Sequence, residues 1–148
     1  MAVFQQVMNM PQVDFYILHT LARQEKERFA CQLTDKAWRQ GYRIYLQTGS
    51  LNEAKQLDDL LWTFKQDSFI PHDIYPEMAH APVLIGYQLE YPQEMDLLIN
   101  LTENKLPNYQ QFKRIAEIVE ETNRESGRMR YRLYREEGCH LLSHDIYR

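Results

Sequence analysis

The sequence predicts a three-layer α/β domain with a mainly parallel central sheet and a C-terminal helical appendage. Three observations support this fold class. Strand-like and helical segments alternate along the first 64 residues, which is the order of a parallel sheet with right-handed crossovers. Residues 95–101 are almost continuously apolar, as suits a strand that is covered on both faces. Residues 124–135 form an arginine-rich segment near the C-terminus, which predicts the additional helix.

The amino-terminal part of the chain contains the first predicted strand and helix. Residues 1–12 are mixed in composition and are predicted to be a loose arm, so we expect one domain over residues 13–148. Residues 13–18 are β-branched and aromatic over the length of a strand. Residues 22–40 carry one apolar stripe at helical spacing, followed by a glycine that suits a helix C-terminus. The stripe consists of Phe29, Leu33 and Ala37.

A second strand and a second helix follow in the same order. Residues 43–47 are predicted to be the strand. Ser50 and Glu53 have the spacing of a capping box, in which the serine hydroxyl accepts an amide hydrogen bond and the glutamate reaches back. The second helix is therefore predicted to begin near Leu51, and its apolar stripe continues to Phe64.

The second half of the chain is predicted to contain two strands and two helices. Residues 83–87 and 95–101 have the composition of strands. Pro107 suits a first helical turn, and apolar residues then recur at intervals of three and four, which predicts a third covering helix. The arginine-rich helix is predicted to stop at Gly138. The apolar residues of the third helix are Tyr109, Phe112, Ile115, Ala116 and Val119.

Composition and charge restrict the classes of function. The net charge of -4 disfavours a general nucleic-acid coat protein. No apolar run approaches the roughly 18 residues that span a bilayer, and the amino terminus lacks the pattern of a signal peptide. The two cysteines fit neither a disulfide framework nor a metal site. We therefore expect a cytoplasmic protein without a membrane segment.

No motif in the sequence argues for catalysis. Gly49 lies in a turn where nucleotide-binding folds hold phosphate, but the glycine-rich phosphate motifs are absent. His140 and His144 could share a helix face as metal ligands, but no third ligand accompanies them. His72 has no nucleophile motif beside it, and Glu117 is expected on a solvated helix surface. We therefore expect no catalytic residue, no metal and no cofactor.

One face of the arginine-rich helix is the strongest candidate binding site. Arg124, Arg128, Tyr131 and Arg135 are spaced so that they share a helix face. Guanidinium groups bind carboxylates through paired hydrogen bonds, and an aromatic wall accepts an apolar side chain, so an acidic peptide with a terminal hydrophobic residue fits. Direct binding of a single-stranded nucleic acid is the alternative, and a solvated basic face without a ligand is the third interpretation.

Two aromatic residues have no obvious place in the core. Trp62 lies off the apolar stripe of the second helix, and Phe69 lies in a segment that Pro71 excludes from helix and central strand. Exposed aromatic clusters mark partner surfaces, although the two rings could also fold back onto a neighbouring helix.

Three segments carry a further signal: residues 38–43, residues 57–62 with 68–72, and residues 131–135 with Gly138 and Leu141. Together they resemble the chi subunit family of bacterial DNA polymerase III holoenzyme, over about residues 13–141. The resemblance implies a Rossmann-like fold without nucleotide activity, in an accessory subunit of a DNA-directed DNA polymerase complex. It also implies a link from the clamp-loader complex, through the small subunit psi, to the acidic C-terminal tail of single-stranded-DNA-binding protein.

The resemblance also implies roles for particular residues. Trp62 and Phe69 correspond to the psi-binding surface, and the resemblance implies that an accessory repair helicase competes for it. Strong direct binding to nucleic acid is not implied. The residues that correspond to the tail-binding site are Arg128, Tyr131, Arg124, Val119 and Leu141.

Overall fold

Seven parallel strands form one sheet in the computed structural model of the protein, which describes residues 10–67 and 69–147. The strand order is β3-β4-β2-β5-β6-β1-β7, and every neighbouring pair is parallel. The predicted mainly parallel sheet is therefore confirmed. The strands are β1 (Gln12–His19), β2 (Ile44–Gln47), β3 (His72–Ile74), β4 (Val83–Gly86), β5 (Leu97–Asn100), β6 (Arg114–Val119) and β7 (His140–Tyr147).

Helices cover both faces of this sheet, which confirms the predicted three-layer architecture and the C-terminal helix. Helices α1 (Glu25–Arg39) and α2 (Leu51–Thr63) pack on one face. Helix α3 (Arg124–Glu136) and the 3-10 turn Tyr109–Gln111 pack on the other, and a second 3-10 turn, Glu121–Asn123, leads directly into α3. Within the described ranges, none of the helices combines the length and the apolar character that a bilayer crossing needs.

Two apolar clusters lie on opposite sides of the sheet. Because successive residues of a strand point to opposite faces, Ile44 and Leu46 of β2 belong to the cluster beneath α1 and α2, whereas Tyr45 belongs to the cluster beneath α3. All residues of β2, β4 and β5 are buried. Burial on both faces explains why the central strands are continuously apolar in the sequence.

The prediction of a third covering helix is wrong. Its first part is the short 3-10 turn Tyr109–Gln111, and its second part is strand β6, which pairs with β5 and β1. Five of the six residues of β6 are buried, so apolar residues are required on both faces. A strand with two buried faces can show apolar residues at helical intervals, which is why periodicity misassigned this segment. Glu117 is accordingly buried within β6 and is not on a solvated helix surface.

Two edge strands are absent from the sequence prediction. Strand β3 lies at one edge of the sheet, and β7 pairs with β1 along eight residues at the other. His140 and His144 therefore lie on a strand, where His144 Nε2 contacts Asp14 Oδ1 at 2.9 Å. Residues 1–9 of the predicted loose arm lie outside the described residues, whereas Gln12 already belongs to β1.

Candidate functional site

A hollow of about 250 Å³ lies between helix α3 and the adjacent face of strands β1 and β7. Apolar side chains from β1 and β6 meet two guanidinium groups of α3 and one carboxylate of β7 there. This combination suits a ligand with an anionic group beside an apolar group. The residues that line this α3 hollow are Phe15, Ile17, His19, Val119, Arg124, Gly127, Arg128, Tyr131, Ser143 and Asp145.

A buried polar network fixes α3 against the sheet. The carboxylate of Glu117 accepts hydrogen bonds from Arg130 and, at 2.6 Å, from Tyr134, both on α3. Asn100 of β5 donates to the two carboxylate oxygens at 3.0 and 3.1 Å. Burial raises the pKa of Glu117, and the charge of Arg130 opposes that shift. Because Arg130 and Tyr134 are both held by Glu117, they fix the rotation of α3 about its axis. The face of α3 that lines the hollow therefore points towards β1 and β7.

A close approach of α3 to strand β6 depends on Gly127. A Cβ atom at this position would lie 2.8 and 2.9 Å from the two γ-carbons of Val119, closer than carbon atoms pack. The glycine therefore brings α3 near to β6 at the position where Val119 enters the α3 hollow. A glycine within a helix costs about 1 kcal/mol relative to alanine, and here close packing is the physical reason for it.

Gly127→Ala is expected to destabilise the protein by about 1–2 kcal/mol, because overpacking against the stiff, β-branched Val119 outweighs the better helix propensity of alanine. Urea denaturation measures the change. In a Val119→Ala background the same substitution is expected to be neutral or stabilising, since the clashing methyl groups are gone. A stabilisation by Gly127→Ala in the otherwise unchanged protein would contradict the close-packing explanation.

The two guanidinium groups of the hollow are paired within the protein. Arg124 Nη2 donates to Glu121 Oε2 at 3.0 Å and to His19 Nδ1 at 2.7 Å. Arg128 Nη1 contacts Glu125 Oε2 at 3.3 Å, and the Arg128 side chain is 67% exposed. An exposed pair of this kind contributes at most about 1 kcal/mol, so a ligand carboxylate can replace Glu125 at small cost.

The structure brings most of the predicted tail-site residues to one place. Val119, Arg124, Arg128 and Tyr131 all line the α3 hollow. Leu141 does not line it, but it lies on the same face of β7 as Ser143 and packs, partly buried, on the cluster beneath α3. Tyr131 packs against Phe15 with 5.2 Å between ring centroids, which holds the phenol at the wall of the hollow. The predicted fourth member of the helix face, Arg135, is exposed and outside the lining.

Sequence reasoning missed the part of the hollow's lining that strands β1 and β7 supply. Phe15, Ile17 and His19 alternate along β1, so the predicted strand already implied that they share a face. Nothing in the sequence indicated that this face lies opposite α3. Ser143 and Asp145 were missed because β7 itself was not predicted.

A second candidate surface surrounds Trp62 at the opposite edge of the sheet. Trp62 is 53% exposed, and one side of its indole packs on His72, with 4.3 Å between ring centroids. Beside it lies a groove of about 530 Å³ between α2 and β3, which Ile74 and Met78 also line. We call this the Trp62 groove. Phe69 is 77% exposed, so neither aromatic residue is absorbed into the core.

The turn between β2 and α2 is occupied by a side chain of the protein itself. Ser50 Oγ accepts a hydrogen bond from Glu53 N at 3.1 Å, which confirms the predicted serine cap at the start of α2. Glu53 reaches back as predicted, but its Oε2 accepts from Gly49 N, at 2.7 Å, one residue before the N-cap. The N-terminus of a helix attracts anions, and in doubly wound folds this is where phosphate binds. Here the Glu53 carboxylate takes that place.

Comparisons with known proteins show the family of this chain and agree with its fold. The model of the family described as "DNA polymerase III chi subunit, HolC" matches residues 10–142. The chain is 38% identical over 139 residues to DNA polymerase III subunit chi of Pseudomonas aeruginosa, which covers 93% of this chain and 98% of that protein. It is 29% identical over 120 residues to the chi subunit of Escherichia coli, with 78% and 82% covered. The crystal structure of T4 UvsW shares the fold alone, with a TM-score of 0.65 at 7% identity, over 92% of this chain and 41% of that one. The match along nearly the whole sheet and helix α3 shows that this chain belongs to the family of DNA polymerase III chi subunits.

Proposed function

We propose that this chain is a non-catalytic adaptor of the cytoplasmic replication machinery. One surface binds psi and so joins the clamp-loader complex, and another binds the acidic C-terminal tail of single-stranded-DNA-binding protein. The observation that carries the proposal is the α3 hollow, in which Arg124, Arg128, Tyr131 and Val119 surround one space.

The chemistry of the hollow matches the end of an acidic peptide. Arg128 is exposed and only weakly held by Glu125, so it can form two hydrogen bonds to a carboxylate. Phe15, Ile17 and Val119 provide apolar surface within the same hollow, which can accept a terminal hydrophobic side chain. A ligand with both features gains from each part, whereas a purely anionic ligand gains from the arginines alone.

The positions of the two surfaces favour a linking role. The α3 hollow lies at the β7 edge of the sheet, and the Trp62 groove lies at the β3 edge. Six strand spacings separate these edges, which corresponds to about 30 Å. Both partners can therefore bind at once, and a weak contact with the tail raises the local concentration of polymerase at coated single strands through avidity. An accessory repair helicase that uses the Trp62 groove would compete with psi and not with the tail.

Arg128→Ala is expected to weaken binding of the tail by about 2 kcal/mol, or about thirtyfold, because a charge-assisted pair is lost at a partly solvated site. Fluorescence titration with a labelled peptide that carries the acidic tail measures the affinity. Binding of psi is expected to be unchanged, since psi uses the opposite edge of the sheet.

A matched control for this variant is Arg39→Ala. Arg39 is also an exposed arginine of a helical ion pair, with Asp35, but it lies on α1 at the other face of the sheet. It is expected to leave tail affinity unchanged. Equal affinity of the Arg128→Ala variant and the unchanged protein would remove Arg128 from the site. Strong binding of an oligonucleotide without any partner, in a mobility-shift assay at physiological salt, would favour the direct nucleic-acid-binding alternative instead.

A further inference from the structure

His19 occupies a defined position at the wall of the α3 hollow. It is the last residue of β1, and its side chain is 22% exposed. Its Nδ1 lies 2.7 Å from Arg124 Nη2, and its Nε2 lies 2.8 Å from Asp145 Oδ1. The ring of Tyr147 stacks on the imidazole with 4.4 Å between centroids and 13° between planes. Three different side chains therefore hold this imidazole in one orientation.

The hydrogen bonds define the tautomer of His19. A guanidinium group has donors and no acceptor, so the Nδ1 atom that faces Arg124 must offer its lone pair. The ring proton then lies on Nε2 and is donated to the carboxylate of Asp145. Asp145, His19 and Arg124 thus form a chain in which each group sets the orientation of the next.

This series of hydrogen bonds determines where the guanidinium of Arg124 points. Within the described part of the chain, Nη2 makes both of its hydrogen bonds, to His19 and to Glu121, while Nε is buried without a partner. Glu121 lies in the 3-10 turn that leads into α3, three residues before Arg124, so this contact is local to the start of the helix. His19 supplies the contact from strand β1.

We propose that His19 is a positioning residue of the α3 hollow, whose Nδ1 lone pair, set by Asp145, holds Arg124 towards the carboxylates of a bound acidic tail. This inference rests on the proposed function. His19 does not itself contact the charge of the ligand. Its effect on binding passes through Arg124.

Two isosteric substitutions test which ring nitrogen matters. The carbonyl oxygen of asparagine can occupy the place of Nδ1, whereas glutamine reaches the place of Nε2. His19→Asn is expected to retain tail affinity within about twofold, and His19→Gln is expected to lose about fivefold, which is a typical coupling between neighbouring polar groups. Titration with the labelled tail peptide gives both values. Equal losses in the two variants would overturn the proposal.

A double-mutant cycle with Arg124 tests whether His19 acts through that residue. In an Arg124→Ala background, His19→Gln is expected to have no further effect on tail affinity, because the group that it positions is absent. If the loss of tail affinity in the double variant is instead the product of the losses in the two single variants, His19 acts independently of Arg124, and the inference is overturned. Imidazole nitrogen NMR of the unchanged protein is expected to show the Nε2-protonated tautomer of His19, and a mixture of tautomers in Asp145→Ala, which removes the carboxylate that accepts the Nε2 proton. An Nδ1-protonated His19 in the unchanged protein would contradict the proposed chain of hydrogen bonds.

The outcomes also distinguish this inference from the proposed function. If Arg128→Ala weakens tail binding while both His19 variants leave it unchanged, only the role of His19 fails. If the unchanged protein does not bind the tail peptide, the proposed function fails and the role of His19 fails with it. His144→Gln is the matched control, because His144 lies on the other face of the neighbouring strand, bonded to Asp14, and is expected to leave tail affinity unchanged.

Discussion

Glu117→Ala is expected to destabilise the protein by about 3–5 kcal/mol, the cost of leaving one member of a buried ion pair without its partner. Arg130, which is 3% exposed, would lose the carboxylate that neutralises it. Tyr134 and Asn100 would each lose an acceptor in the interior. Urea denaturation, monitored by far-UV circular dichroism, measures the free energy of unfolding.

A matched control for Glu117→Ala is Glu125→Ala. Glu125 also pairs with an arginine of α3, but both side chains are largely exposed. Its loss is therefore expected to change stability by less than about 1 kcal/mol. A similar small effect of Glu117→Ala would show that water reaches Arg130 and that the network does not hold the helix.

Glu117→Ala is also expected to change the shape of the α3 hollow. Arg130 and Tyr134 set the rotation of α3 through Glu117, and the hollow-lining residues Arg128 and Tyr131 lie on the adjoining face of that helix. Loss of the Glu117 carboxylate is expected to weaken the proposed binding of the tail, even under conditions where the protein remains folded. A buried polar network of this kind can specify the position of a helix as well as contribute to stability.

Trp62→Ala is expected to weaken the proposed complex with psi by about 2–4 kcal/mol, roughly thirtyfold to a thousandfold, as truncation of an aromatic hot spot does. The indole is half exposed beside the Trp62 groove, and its packing on His72 orders the ring before a partner arrives. Little side-chain entropy then remains to be lost on binding. Co-purification with psi, followed by calorimetric titration, gives the affinity, and tail binding is expected to be unchanged.

The control for Trp62→Ala is Leu89→Ala. Leu89 is 57% exposed, close to the exposure of Trp62, but it does not line the groove. Its removal is expected to leave psi binding unchanged, and Phe69→Ala should produce an intermediate loss if the partner also covers that ring. Undiminished psi binding by Trp62→Ala would place the psi surface elsewhere on the protein. The proposed competition between psi and an accessory helicase is checked by adding psi in excess, which is expected to release the helicase.

Much of the fold could be predicted because local patterns were unambiguous. The capping box at Ser50 determined the start of α2, and the alternation of strands and helices determined a parallel sheet. Segments with two buried faces were harder to assign to strand or helix from the sequence. Residues 114–119 are strand β6, but covering on both sides removes the alternation that identifies a strand, so spacing alone favoured a helix. Strand β7 lies at an exposed edge, and its apolar residues come in two adjacent pairs, Leu141 with Leu142 and Ile146 with Tyr147, so they do not alternate with polar residues.

The residues of the candidate site also fall into two groups, those that local sequence predicts and those that only tertiary packing brings together. Arg124, Arg128 and Tyr131 share one helix face because of their spacing, which is a property of the sequence by itself. Only the tertiary structure decided what lies opposite that face. Strand β7 adds beside β1, Glu117 becomes buried where it can hold Arg130, and Gly127 lets α3 approach Val119. Local spacing determines which side chains of one element point together, whereas a hollow needs a second wall from residues about a hundred positions away, and only long-range packing brings that wall into place.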